Sequence, residues 1–353
     1  MTPASSDGNA QLNLLASGRM ESGIALLNGG APEALREAIR CFDEAIELRR
    51  RLPLVENSGF RYGLAAGWIN RGDALTHLGG PGNLVDAVNS YTAAIELLKD
   101  PPAGDDGSFV RRLAIAWMNR GIALEEQKCE PALAEAMRSY KEAIRLLSCI
   151  ELDPVVLASA WINLGNASLR SAAGTLAAEA VGAAEEALSL LAESESKELA
   201  AAEAGLKARH ILCQAITALP GGSTSSIEPD LINKMTDAVE GALRLAQSWE
   251  KAGVTCFRPL ATQFFHLGAL AYEKHQSHFL AEFLLDHLES CLPPVSAAWL
   301  AIAGESLSRV RCGLRNCDFT LLATPQGIRQ LEILNEVRAA EERFQTLRSL
   351  ASC

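Results

Sequence analysis

The chain has 353 residues, with 43 acidic against 32 basic side chains and a formal charge of −11. That balance argues against binding by phosphate neutralisation, where a basic stripe should dominate, so no nucleic acid is expected as a partner. Residues of the set A, V, I, L, M, F, W, Y and C make up 48% while aromatics are 5%. The apolar content is thus mostly alanine and leucine, which favour helix over strand.

The N-terminal stretch M-T-P-A-S-S-D-G-N-A-Q has no basic region followed by an apolar run, so no secretory signal is read there, and residues 1 to 12 are expected to be a disordered tail. No segment reaches eighteen uninterrupted apolar residues, so no membrane span is expected. Nine cysteines are scattered without a C-x-x-C and are odd in number, which reads as reduced packing residues in a cytoplasmic protein.

From residue 13 the chain repeats itself. W-I-N-R-G starts at Trp68, W-M-N-R-G at Trp117 and W-I-N-L-G at Trp161, offsets of 49 and 44. Each has a companion 19 residues on: A-V-N-S-Y-T-A-A-I-E-L-L from Ala87, A-M-R-S-Y-K-E-A-I-R-L-L from Ala136 and A-V-G-A-A-E-E-A-L-S-L-L from Ala180. Counting back 49 from Ala87 reaches Ala38 and A-I-R-C-F-D-E-A-I-E-L, so residues 13–192 hold four copies, the first with Arg19 in the Trp place and Gly23 in the Gly place. Recurrence at a nearly fixed interval marks an array of supersecondary units. Wound into a helix, Trp68, Gly72 and Leu75 share one face, as do Ala87, Tyr91 and Ala94 in the companion. Glycine and alanine let two backbones approach while the aromatics fill the space beside them.

These motifs resemble the tetratricopeptide repeat, W-I-N-L-G-N-A-S-L from Trp161 matching its first helix and D-A-V-N-S-Y-T-A-A-I-E-L from Asp86 its second. The resemblance implies an all-α, right-handed α-solenoid of antiparallel helical hairpins. Two departures stand out: the units run 44 to 49 residues against the family's 34, and Arg71 and Arg120 occupy the usual Leu position. The added length, as in E-N-S-G-F-R-Y-G-L from Glu56 and G-D-D-G-S-F-V-R-R-L from Gly104, sits mostly between units and lengthens helices or connections.

Residues 193–323 read as degenerate hairpins of the same kind, with a loop at 220–229 (P-G-G-S-T-S-S-I-E-P) and helices from Ala200 and Leu231. L-A-T-Q-F-F-H-L-G-A-L from Leu260 puts Phe264 in the Trp place and Gly268 in the Gly place. Residues 324–353, opened by Thr324-Pro325, form an amphipathic stripe that reads as a capping helix; a homodimer through it is compatible with that stripe.

Asn70, two residues after its Trp, is rotated by roughly 200 degrees from it. Asn70, Asp73 and His77 therefore share the face opposite the core stripe, as do Asn119, then Asn163 and Asn166, then His266. In tetratricopeptide folds that face lines a concave groove, so the resemblance implies a polar ladder hydrogen-bonding a partner peptide. Arg71 and Arg120 border the stripe, where each either pairs with a carboxylate such as Glu96 or Glu47 or grips a ligand carboxylate. The family's lysine-based carboxylate clamp is not carried over, because Ile69, Ile115 and Met118 stand at its positions. His275, His278, His287 and Cys291 have ligand-like spacings but no accompanying cysteine pair, and no metal is expected. No catalytic residue and no cofactor are expected either, since G-x-S-x-G, G-x-x-x-x-G-K-S/T, H-E-x-x-H and G-x-G-x-x-G are all missing, and G-G-P-G from Gly79 reads as an interhelical turn. The expected function is a non-catalytic scaffold or adaptor taking a protein or peptide partner, with a ligand-sensing regulator as the alternative.

Overall fold

The computed structural model describes residues 6–150, 153–171, 176–219 and 229–252. Among them are ten helices and no strand, and consecutive helices pack as antiparallel hairpins, an all-α solenoid. The chain divides into two compact units, Met1–Ala167 and Ser168–Cys353.

In the first unit α1 (Ser6–Gly29) packs on α2 (Pro32–Arg50), α3 (Ser58–Leu78) on α4 (Pro81–Leu98) and α5 (Ser108–Glu125) on α6 (Glu130–Leu147). Helices α2 and α4 also meet the next first helix, α2 on α3 and α4 on α5. The first helices touch one another directly, α1 with α3 and α3 with α5, so they form one layer and the second helices the other. Helix α7 (Pro154–Arg170) carries the fourth first-helix motif and crosses the boundary between the units.

Local chemistry sets the boundaries. Helices α2, α4 and α6 each have proline in the first turn, where its missing N–H costs no hydrogen bond. Between α3 and α4, Gly79 at φ 67° and Gly80 at φ 87° turn the chain through conformations that side chains rarely adopt. The G-G-P-G segment is the interhelical turn expected. At the start of α3 the Asn57 side chain accepts from the N–H groups of Gly59 and Phe60.

The hairpins are locked by one recurring contact, an aromatic ring from the second helix laid on a glycine of the first. A Cβ added to Gly72 would lie 2.6 Å from Cε1 of Tyr91, and one added to Gly121 would lie 2.5 Å from Cε1 of Tyr140. Phe42 covers Gly23 in the same way, and all three rings are fully buried. Burying a phenylalanine of this kind stabilises by about 1.5–3 kcal/mol. The fourth copy has Ala184 in the aromatic place, also fully buried.

Two expectations are corrected. Helix α1 begins at Ser6, so residues 6–12 are helical rather than a disordered tail. The tryptophans are half-buried, not core: Trp68 lies at the layer edge with the Arg50 and Arg71 guanidinium carbons 5.1 Å and 5.8 Å from its ring centroid. The added length falls in both of the places expected for it: the first helix starts about two and a half turns before the Trp, at Ser58 in α3 and Ser108 in α5, and the connections 51–57 and 99–107 lead into it.

In the second unit α8 (Ala177–Leu191) packs on α9 (Leu199–Ala218), and α9 on α10 (Pro229–Lys251). An ion pair largely shielded from solvent ties α9 to the α8–α9 connection: Arg209 donates Nη1 to Oε1 of Glu195 at 2.7 Å and Nη2 to Oε2 at 2.9 Å. Gly205 and Gly241 leave room for it, since a Cβ on either would run into the pair. Trp249 of α10 donates its indole N–H to the Glu195 carbonyl oxygen. The loop at 220–229 lies outside the described residues up to Pro229, which opens α10, and so do the hairpin from Leu260 and the capping helix at 324–353.

Candidate functional site

The extended N-terminal turns of α3 and α5 run side by side and leave a groove of about 450 Å³ between them, lined among others by Tyr62, Asn70, Asp73, Asp106, Arg111 and Arg112. A second hollow of about 590 Å³ opens beside it along the 101–107 segment and shares Asp106 and Arg111. Position in the first helix follows from the repeat, while the groove wall follows from the extension.

At the start of α5 two carboxylates cap the helix. Asp105 accepts from the Ser108 hydroxyl at 2.9 Å and the Phe109 N–H at 3.1 Å, and Asp106 accepts from the Ser108 N–H at 3.1 Å. Gly107, at φ 89°, turns the chain between these acceptors and the helix. Arginines of both helices lie over aromatic rings: Arg112 of α5 is 3.9 Å from the Tyr62 ring centroid, and Arg61 of α3 is 5.4 Å from that of Phe109. Tyr62 and Phe109 pack at a centroid distance of 5.2 Å, joining α3 to α5.

Deeper in the groove stands Asp73. Its Oδ1 accepts from the Tyr91 hydroxyl of α4 at 2.7 Å and from the Asn119 amide of α5 at 2.9 Å, so one carboxylate joins three helices and two successive hairpins. Thr76 lies 3.3 Å from the same tyrosine oxygen. Burial raises the Asp73 pKa above 3.8, opposed by the donated bonds from Tyr91 and Asn119 and by nearby His77. Burial also raises the Tyr91 pKa, as does the Asp73 charge.

Asn70 and Asp73 line the groove, and Asn119 lies one repeat along with its amide committed to Asp73. Asn163 and Asn166 are half-buried on α7, and His266 lies outside the described residues, as do His275, His278, His287 and Cys291.

Arg71 and Arg120 are engaged internally, and not with the carboxylates expected. Arg71 donates Nε to Asp43 of α2 at 2.7 Å and Nη1 to the Ser90 hydroxyl of α4 at 2.8 Å. Arg120 donates to Glu135 at 3.0 Å, to the Ser139 hydroxyl at 2.8 Å and to Thr92 of α4 at 3.3 Å. Glu96 and Glu47 pair instead with Lys99 and Arg50, their own helix neighbours. Each of the two arginines therefore fastens its own hairpin to the second helix of the preceding one.

A signal for that role was present in the residues. Arg71 and Arg120 stand 19 before Ser90 and Ser139, whereas Leu164 in the fourth copy stands 19 before Ala183 and Ser22 in the first stands 19 before Cys41. Arginine and serine come and go together. The groove residues Tyr62, Arg111 and Arg112 went unnoticed. Their signal is the alignment of F-R-Y-G-L from Phe60 with F-V-R-R-L from Phe109, again 49 apart.

No protein-family model matches the sequence, and no curated protein matches it. Among solved structures the chain is similar to a circular tandem repeat protein with novel repeat topology and enhanced subunit contact surfaces, at 14% identity over 98% of this chain and 86% of that one, with a TM-score of 0.29. It is also similar to the nuclear import adaptor Nro1 of S. pombe, at 14% identity over 93% of this chain and 98% of that one, with a TM-score of 0.32.

Proposed function

We propose that the protein is a non-catalytic interaction scaffold of tetratricopeptide type, a right-handed array of long repeats, and that it takes a segment of a partner protein in the groove between α3 and α5. The observation that carries this reading is the groove itself: about 450 Å³, lined by polar groups that a polypeptide backbone can pair with. Asn70 lines it with a side-chain amide able both to donate and to accept, which suits main-chain recognition with limited demand on sequence. Asn163 and Asn166 continue the same register on α7. Arg71 and Arg120 serve as fasteners between hairpins rather than as ligand contacts, because their donors already face Asp43, Ser90, Glu135 and Ser139.

The test is retention of proteins from a lysate on the immobilised chain, compared with Asn70→Ala plus Asn166→Ala. The folded double variant loses at least part of what the parent retains. Identical retention at unchanged affinity would remove the groove from the account. A thermal shift produced by a small molecule, with a change in particle dimensions, would favour the regulator instead.

A further inference from the structure

We infer that the α3–α5 groove is specific for an acidic segment of its partner, with Arg111 and Arg112 holding Asp or Glu carboxylates; this rests on the groove reading above. The basis is the placement of charge. In the unit Met1–Ala167, eight arginines lie within 4.0 Å of a carboxylate. Five make no such pair among the described residues. Arg51, the C-cap of α2, is one of them. The other four are Arg49 in the last turn of α2, Arg61 in α3, and Arg111 and Arg112 in α5; Arg112 acts electrostatically on Arg49, and Arg111 and Arg112 both line the groove.

Arg49 is 7% exposed. It donates Nη1 to the Gly63 carbonyl oxygen at 2.7 Å and Nη2 to the Ser17 hydroxyl at 3.3 Å, and its Nε has no acceptor among the described residues. Burial, and then the nearby Arg112 charge, lower its pKa. Arg61 donates to the Asp100 carbonyl oxygen, a neutral acceptor, and its buried Nε likewise has none. A chain of net charge −11 thus keeps four arginines here with no carboxylate within 4.0 Å among the described residues.

The local carboxylates are committed elsewhere. Asp105 and Asp106 cap α5, and Asp73 accepts from Tyr91 and Asn119. The Arg112 guanidinium carbon lies 3.9 Å from the Tyr62 ring centroid, and an arginine held on an aromatic ring keeps N–H donors that can take a carboxylate in two parallel bonds. Arg111 is exposed and shared by both hollows, so it reaches a ligand lying in either. A polyanion such as nucleic acid is disfavoured by the overall charge and by Asp73 and Asp106 in the same wall. A peptide with spaced carboxylates meets the arginines while its backbone meets Asn70. Both arginines lie on the helix extension, outside the part of the repeat that resembles the tetratricopeptide signature.

The test is selection from a random library of peptides of about twelve residues on the immobilised full chain, in parallel with Arg111→Gln plus Arg112→Gln. The parent enriches Asp and Glu at least about twofold over the input, and the double variant returns them to the input level. Replacing the carboxylates of a selected peptide by amides weakens binding to the parent about tenfold or more and to the variant hardly at all. Enrichment without acidic bias would overturn this inference and leave the groove reading standing. Acidic bias that survives in the variant would overturn the assignment to Arg111 and Arg112, and a library that gives no enrichment at all would remove both. Should the double variant fail to fold, Arg111→Gln alone, at an exposed position, gives the same comparison.

Discussion

Replacing Gly72 by alanine tests the contact that sets the hairpin spacing. In an open helix this change is favourable by about 0.8–1 kcal/mol, because glycine loses more backbone freedom on folding. At Gly72 the new methyl would sit 2.6 Å from the Tyr91 ring. That ring cannot retreat cheaply, since Tyr91 is fully buried and its hydroxyl donates to Asp73 at 2.7 Å. Overpacking of a filled core costs about 1–3 kcal/mol, and loosening a hydrogen bond to a charged acceptor costs about 1.5–3 kcal/mol. Either loss outweighs or cancels the helix gain, and together they leave a net destabilisation of about 1.5–5 kcal/mol. Gly18, inside α1 with nothing within 4 Å of its Cβ position, is the internal control, and Gly18→Ala should raise stability by the full helix gain of about 0.8–1 kcal/mol. Urea unfolding followed by circular dichroism gives both values. If the two variants shift the midpoint upward alike, Tyr91 does not cover Gly72 and the packing described for the hairpins is wrong.

Arg120→Leu should cost about 1–2 kcal/mol in thermal unfolding by stranding Ser139 and Glu135, and Arg120→Leu plus Ser139→Ala, which copies the Leu164 and Ala183 pairing of the fourth repeat, should recover most of it. Arg209→Met leaves the Glu195 carboxylate buried without its partner and should cost about 3–5 kcal/mol, with Glu195→Leu added in the same chain restoring stability; an unchanged melting temperature for the single variant would contradict the buried pair. Asp73 links stability to pH through its raised pKa. Above 3.8 the unfolded chain releases a proton that the native carboxyl still holds, so this group's contribution falls as pH rises through its native pKa and is flat beyond it. Asp73→Asn removes that slope, so the parent's stability relative to the variant should decline over this window, and a difference independent of pH would show that Asp73 is not buried as described.

The hairpin register was legible because few residue types satisfy it. Glycine under a ring and alanine at a helix crossing are steric requirements, and their recurrence at 49 and 44 residues marks the same packing each time. Tryptophan was misjudged by the same logic. A shared helix face places Trp68 beside Gly72, but burial depends on how far the neighbouring helices reach, and there two guanidiniums lie over the half-buried ring. The Asp73–Asn119 bond was likewise out of reach of periodicity, which assigns both residues to one face yet says nothing of the distance between successive hairpins. Arg111 and Arg112 lie in the extension, where the repeat departs from the pattern it resembles. Their meaning comes from the carboxylates already committed around them, a matter of three-dimensional pairing rather than of spacing.

The measurement that bears most directly on the groove is site-specific photocrosslinking to a selected peptide. A benzophenone side chain replaces Ile115, which lines the groove on α5, or Val85, which is exposed on α4 away from it. The account predicts peptide crosslinks from position 115 and none above background from position 85. Crosslinking from position 85 at an equal or higher yield would place the partner on the other face and contradict it.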